Sequence, residues 1–399
     1  MLYKLTIDDL TVRGRRLFIR VDFNVPLEGG RIVDDSRIVA TLPTLRVAVT
    51  RGARLVIASH LGRPNGKVDM AFSLRAVSRR LRELLDRPVE FAVDCIGTEA
   101  EQKSRALQDG GILLLENLRF HPEEEANDPG FARKLSLLCD GIYVNDAFGA
   151  AHRAHASVAA ITKFVKQAAA GALMQKELQY LGMALARPPA PYVVVLGGAK
   201  VSEKIEVIEN LMKNATCMLI GGAMAYTFLK AQGLPVGKSL VEDDKMDVAH
   251  RVLEQAKVRN CKFLLPSDHV IAREMKKGTE VRVSEVGATP PDWMGLDIGP
   301  NTVEAFNKEL SAAHTILWNG PMGVFEIPPF ERGTVSVAYA IAEATKRGAT
   351  SIVGGGDSVS ALHKAGVAGD ITHISTGGGA SLEFLSGRAL PGVEALSNH

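Results

Sequence analysis

Ten short runs of β-branched and aliphatic residues, alternating with helical stretches, constrain this chain more than any other feature. RLFIRVD (16–22), RLVIAS (54–59), ILLLEN (112–117) and GIYVND (141–146) fall in the first half. PYVVVLGG (191–198), CMLIGG (217–222), CKFLLP (261–266), HTILWNGP (314–321), TSIVGGG (350–356) and THISTGGG (372–379) fall in the second. Continuous apolar strands read as parallel sheets covered on both faces, because a sheet with one wet face alternates polar and apolar residues. At 399 residues the chain is too long for one core, so the pattern predicts an α/β protein of two doubly wound parallel-sheet domains. Several runs end in Gly, Asn, Asp or His. Those residues then stand at the carboxyl ends of strands, where open α/β sheets bind ligands.

A seam between the domains is expected near LMQKELQYLGMALARPPAP (173–191). Leu178, Leu181 and Leu185 recur at helical spacing, and Pro188, Pro189 and Pro191 then end the helix. This predicts a hinge helix, with residues 1–175 forming one domain and 176–385 the other. The first 175 residues hold 19 Arg and 6 Lys, whereas the remainder holds 8 Arg and 14 Lys. Arginine suits bidentate carboxylate and phosphate contacts, so the bias hints at a small anionic ligand in the first half. A formal charge of +2 is too balanced for holding nucleic acid or a membrane through bulk charge, so neither is an expected partner. The four cysteines show no metal-ligand spacing, the start MLYKLTIDDL lacks a signal-peptide pattern, and no run of 18 uncharged apolar residues occurs. A cytoplasmic protein is the expectation.

In RVDFNVP (20–26) a strand ends in Asp22 and Asn24, two polar groups that can fix a hydroxyl or carboxylate or, equally well, shape the turn before Pro26. SHLGRP (59–64) sets His60 and Arg63 after another strand; Arg37, Arg119 and Arg153 lie in or near comparable loops. Converging on one sheet edge, these groups would form a phosphate pocket. His152 and His155 have no third ligand at metal spacing, which argues against zinc there.

The second half carries strand, glycine triplet, helix twice: SIVGGGDSVSALHKA (351–365) and HISTGGGASLEFL (373–385). Glycines let bare backbone N–H groups approach an anion, and the following helix adds its positive end. Two uses fit Asp357: capping that helix, or holding Mg²⁺ carried by a nucleotide. In GGAKVSEKIEVIENL (197–211), Lys204 is expected in a helix's first turn, against the macrodipole, with an exposed lysine offset by Glu203 or Glu206 as the plainer reading. GLPVGKS (233–239) misses a P-loop because Gln232 stands where a glycine is needed, and no strand-linked G-x-G-x-x-G occurs. A nicotinamide-dependent dehydrogenase therefore lacks its fingerprint, and an exported ligand-binding protein lacks its leader.

Taken in order, RVDFNVP, SHLGRP, ENLRFHPEEE, DAFGAAHRAHAS, GGAKVSEKI, NGPMGVFE, GGGDS and STGGGAS resemble the phosphoglycerate kinase family, as does LPGVEAL near the end. The resemblance covers essentially the whole chain; Glu203, where the family often has Asp, and Ala151 are its mild departures. It implies two Rossmann-like domains and reversible phosphoryl transfer between ATP and 3-phosphoglycerate, giving ADP and 1,3-bisphosphoglycerate, with Mg²⁺, in glycolysis or gluconeogenesis. By the same resemblance, Asp22, Asn24, Arg37, His60, Arg63, Arg119 and Arg153 hold 3-phosphoglycerate. Lys200, Lys204, Gly221, Gly222, Gly299, Asn319, Glu326, Gly355, Gly356, Asp357 and Ser358 hold the nucleotide, with Asp357 meeting the metal through it. Arg37, Lys204, Gly355 and Gly378 are the expected catalytic set. The family also implies a monomer, closure of the two domains during turnover, and a tail after about residue 386 that packs back on the first domain. The attacking carboxylate is already ionised at pH 7, so no general base is required. What remains to be supplied is positioning and positive charge.

Overall fold

The computed structural model describes residues 4–399, and the chain divides into two compact units. The first comprises residues up to Gln179 together with Ala389–His399; the second is Tyr180–Arg388. Their boundary falls inside the helix Ala172–Ala186.

A six-stranded, all-parallel sheet forms the first unit, in the spatial order Glu90–Phe91, Ile112–Leu114, Arg54–Ala58, Arg16–Val21, Ile142–Asp146, Gln167–Ala170. The chain enters at Arg16–Val21, adds Arg54–Ala58 beside it, lays the edge strand Glu90–Phe91, fills the gap with Ile112–Leu114, then returns to build on the other side. The order reverses beside that first strand, which is the switch point where such sheets bind ligands. Both faces are covered. Leu17, Ile19, Leu55, Ile57, Ile112 and Val144 join one core, while Phe18, Val56, Leu113 and Tyr143 are buried on the opposite face. The final segment belongs to this unit: Lys4 pairs with Asn398, Lys4 Nζ donates to the Leu396 carbonyl at 3.0 Å, and Asn145 Nδ2 donates to Gly392 O at 3.2 Å.

The second unit repeats the plan with a six-stranded parallel sheet ordered Lys262–Leu264, Cys217–Ile220, Tyr192–Leu196, Thr315–Asn319, Thr350–Gly354, His373–Ile374. In chain order this is 3-2-1-4-5-6, the doubly wound dinucleotide-fold arrangement with its switch point between Tyr192–Leu196 and Thr315–Asn319. All ten strands expected from the sequence form. Three antiparallel strands, Val281–Glu285, Asp268–Ala272 and Met294–Ile298, make an additional sheet that the sequence pattern did not announce. Among the described residues no helix is long and apolar enough to cross a membrane.

Two buried carboxyls staple elements together. Asp146, at the end of its strand, accepts from the Leu173 and Met174 amides at 3.0 and 3.1 Å, capping the helix that carries the unit boundary. A side chain at Gly171 would strike that carboxylate, its Cβ falling 2.2 Å from Oδ1. Asp297 accepts from the Gly333 and Ile298 amides at 2.7 and 2.9 Å. Burial pushes the Asp146 carboxyl up to about 6 and the Asp297 carboxyl up to about 8.

Because the folded Asp297 holds its proton where the unfolded chain has released it, stability contributed through this group falls as pH rises from about 4 to about 8. Asp297→Asn should remove that slope, of the order of 1 kcal/mol per pH unit, whatever its effect at low pH. Denaturant unfolding of both proteins at several pH values between 5 and 8 checks this. Parallel slopes would mean that Asp297 does not titrate.

Candidate functional site

In the first unit the segments leaving the carboxyl ends of four neighbouring strands bring the expected polar groups to one sheet edge. Asp22 follows Arg16–Val21, His60 follows Arg54–Ala58, Arg119 sits in the turn Leu118–Phe120 after Ile112–Leu114, and Arg153 follows Ile142–Asp146. Asp22 Oδ2 accepts from Arg37 Nη1 at 2.5 Å, and Asp22 Oδ1 lies 3.9 Å from His60 Nε2. The Asn24 carboxamide oxygen accepts from the Gly62 amide at 2.8 Å, and Arg119 Nη1 donates to the Gly62 carbonyl at 2.8 Å. One glycine thus joins Asn24 to Arg119. Gly62 has φ of 63°, and a Cβ there would fall 2.3 Å from the Phe72 ring, so this turn requires glycine. Arg63 and Arg153 are exposed, and Arg153 Nε donates to His152 Nε2 at 3.1 Å.

One residue behind this edge was missed by sequence reasoning. Arg20, wholly buried, donates to Ser157 Oγ at 2.8 Å and to the Val21 carbonyl, and its Nη2 lies 3.1 Å from His60 Nδ1. Glu124, also wholly buried, sits 3.8 Å from Arg20 and accepts from the Ser157 hydroxyl at 2.6 Å and its amide at 2.9 Å. An arginine inside an otherwise apolar strand was the available signal, since an unpaired charge there would be untenable.

The field at this edge is strongly positive. Burial, then the Arg20, Arg119 and Arg37 guanidiniums, holds the His60 imidazole well below its ordinary range despite Asp22. Burial, then Arg20, Arg119, Arg153 and His152, drives His155 down to about 3. Burial alone would raise Asp22, but His60, Arg37 and Arg20 outweigh it and keep its carboxyl below the usual range. Such an edge favours a bound anion.

In the second unit Lys204 is buried, not an exposed lysine offset by Glu206, which pairs instead with Arg388 at 2.7 Å. It occupies the N-cap position before the helix Ile205–Leu211, one residue outside the expected first turn. Its ammonium donates to both oxygens of Asn319 at the end of the central strand, the backbone one at 3.3 Å, and no carboxylate is among its hydrogen-bond partners. Burial brings Lys204 down to about 8, with Glu203 and Asp357 acting in the other direction.

Glycines wall this cation. A Cβ at Gly320 would lie 3.2 Å from Lys204 Nζ and 2.3 Å from the Gly197 carbonyl oxygen; one at Gly355 would lie 3.1 Å from Asn319 Nδ2. That Nδ2 is buried without a hydrogen-bond partner. Ser358 Oγ, buried, accepts from the Gly320 amide at 2.6 Å. Gly355 and Gly378 are N-cap residues of the helices Gly356–Ala365 and Gly379–Leu385, with φ of 90° and 52°. Asp357 therefore stands exposed in the first turn and does not cap the helix. Gly356, Lys200 and Glu326 are exposed. Gly221 and Gly222 follow Cys217–Ile220 and are closed in by Met322 and Gly198, at 2.5 Å from a built Cβ. Gly299 follows the strand Met294–Ile298 as N-cap of the helix Pro300–Ala312, packed against the Asp268 carboxylate, apart from the contacts that gather Lys204, Asn319, Gly355 and Ser358.

Two doubly wound sheets, one edged with guanidiniums and the other with a buried lysine and glycine-capped helix starts, define an α/β protein built to hold anions at its strand ends. The family model described as phosphoglycerate kinase matches residues 7–388. The phosphoglycerate kinase of Acidobacterium capsulatum is 58% identical over 403 residues, covering 99% of both chains. That of Chlorobium chlorochromatii is 57% identical over 396 residues, covering 99% of this chain and 100% of its own. Among solved structures, phosphoglycerate kinase from Coxiella burnetii superposes with a TM-score of 0.90 at 41% identity, and that from Pyrococcus horikoshii with 0.83 at 34%, each covering 98% of both chains. The chain belongs to the phosphoglycerate kinase family, and is an enzyme of the kinase class.

Removing the guanidinium that faces Asp22 should let its carboxyl pKa rise. Arg37→Ala followed by carbon-detected NMR titration of the aspartates checks the direction; an unmoved Asp22 would mean the pair does not form in solution.

Proposed function

We propose that the two strand edges divide one reaction between them, the first holding 3-phosphoglycerate and the second holding the adenine nucleotide. The family fixes the overall chemistry as reversible phosphoryl transfer between ATP and 3-phosphoglycerate, a step of glycolysis. Arg37, His60, Arg63, Arg119 and Arg153, with Asp22 and Asn24, receive the glycerate and its phosphate. Asp22 also keeps the Arg37 head group oriented before substrate arrives. Glycine amides at 355, 356 and 378 and the Ser358 turn receive nucleotide phosphates, Lys200 and Lys204 supply charge, and Gly221, Gly222, Gly299, Asn319 and Glu326 line the rest of the nucleotide's path.

The observation that carries the reading is Lys204. A buried ammonium with a partly depressed pKa and only amide-type oxygens for partners has a local charge left to balance, and glycine walls leave room beside it. A transferring phosphoryl group, with charge spread over its oxygens, answers that demand. Arg37 from the first unit gives a second positive group. No general base is needed, since the acceptor carboxylate is ionised at neutral pH.

Asp357 fits the divalent metal that accompanies the nucleotide. It is a single exposed carboxylate beside bare glycine amides, and Mg²⁺ characteristically takes one or two carboxylates, phosphate oxygens and waters. When bound, the ion would neutralise phosphate charge; the chain's own contribution is the oxygen that anchors it. Approach of the two units is part of the proposal, because water beside the nucleotide would compete with the carboxylate as acceptor. We take the catalytic unit to be a single chain.

A coupled assay with 3-phosphoglycerate and MgATP tests the reading directly. Lys204→Met and Arg37→Ala should each lower kcat by roughly 10² or more if they act chiefly in the transition state; a rise in KM alone would reassign either residue to ground-state binding. Small-angle scattering with both substrates present should show compaction, and an unchanged profile would remove closure from the mechanism.

A further inference from the structure

The sheet order of the first unit brings together three ligand-type side chains from two segments apart in sequence, none of them among the strand-end residues described above. Glu90–Phe91 and Ile112–Leu114 are parallel neighbours, with Phe91 opposite Leu114. Beyond their carboxyl ends one chain reaches Asp94 and Cys95, and the other turns through Leu118–Phe120 to reach His121. One ligand atom from each of Asp94, Cys95 and His121 lies within 4.8 Å of the others. His121 Nε2 is 2.6 Å from Asp94 Oδ1, and the Cys95 amide donates to the same oxygen at 2.6 Å. Phe131 packs against the imidazole at 5.2 Å between ring centroids and limits its rotation.

We propose that Asp94, Cys95 and His121 form a binding site for a divalent cation of zinc type. A thiolate, an imidazole and a carboxylate are the donors zinc takes, and three protein ligands leave its fourth tetrahedral position for water. A tetrahedral zinc holds neighbouring ligand atoms roughly 3.5 Å apart, so small side-chain rotations bring these three into range. The arrangement also has an entry side. Cys95 is wholly buried and forms the floor, while the Asp94 and His121 side chains are 48% and 24% exposed and form the mouth.

The surrounding charge favours a cation. Burial and then the Asp94 and Glu124 carboxylates oppose ionisation of the Cys95 thiol. Hydrogen bonding to Asp94, helped by the charge of Glu123, stabilises the His121 imidazolium, and Lys134 opposes it. A divalent ion reverses both preferences by replacing the protons. On binding, the Cys95 thiol releases one proton to solvent and a protonated His121 releases another; no oxidation state changes. The site is independent of the phosphoryl-transfer reading, since none of the three residues belongs to either strand-edge cluster.

The test uses the full chain, stripped of metal, in two titrations. Zn²⁺ competed against a chromogenic chelator should bind once per chain, and His121→Ala or Asp94→Asn should weaken it by about tenfold or more. Co²⁺ should give a thiolate-to-cobalt charge-transfer band in the near ultraviolet that is lost in Cys95→Ser. Should the buried serine variant fail to fold, as far-ultraviolet circular dichroism would reveal, the two partly exposed variants still decide the question. Absence of the band in the parent chain, its survival in Cys95→Ser, or zinc binding indifferent to His121→Ala overturns the proposal.

Discussion

A parallel sheet with helices on both faces has no wet face on which to display chemistry, and that constraint governs everything else in this chain. Phe18 and Leu17, adjacent in one strand, are both fully buried, as are Trp318 and Leu317 in the other sheet. Function is left to the segments that leave the strands at their carboxyl ends, where backbone ladders stop and side chains and amides become available. Both units obey this rule, but they equip the edge differently. One uses long cationic side chains, which can follow a ligand of variable position. The other ends in Gly355 and Gly378, helix N-cap residues with φ of 90° and 52°, whose bare backbone amides are the groups proposed above to receive the nucleotide's phosphates.

Much of the fold could be read from the sequence because the ten expected strands lie in mostly apolar runs, a pattern that nothing but a doubly covered strand explains easily. What escaped notice lacked that pattern. Glu90–Phe91 is too short to register, Gln167–Ala170 is mostly alanine, which has weak strand preference, and Val281–Glu285 is largely exposed and carries Arg282 and Glu285. These strands owe their existence to pairing with neighbours rather than to local composition.

At the site the split between legible and illegible follows the same division. Residue type and position after a strand pointed to Asp22, His60, Arg37, Arg119 and Lys204. Burial and partners could not be read, because they depend on chains distant in sequence. Lys204 beside Glu203 looks like a solvated lysine until Asn319 is placed over it, 115 residues away. Arg20 looks like an anomaly in an apolar strand until Ser157 and Glu124 arrive from beyond the sheet's carboxyl edge. The three residues of the candidate cation site illustrate this most sharply, since only the adjacency of two strands puts His121 beside Cys95.

Arg20 also shows how the positive edge is sustained. A sheet end that gathers several guanidiniums repels itself, and the chain answers with Glu124, placed behind the edge and wholly out of solvent. Its carboxylate is saturated by the Ser157 amide and hydroxyl, so it balances Arg20 without reaching toward the ligand side. A carboxylate on the ligand side would compete with an incoming anion. The acids that do lie nearer the front are each committed to a guanidinium: Asp22 to Arg37 at 2.5 Å and Glu125 to Arg119 at 3.3 Å. Placing the balancing charge behind the edge in this way lets the edge be folded stably and still carry net positive potential.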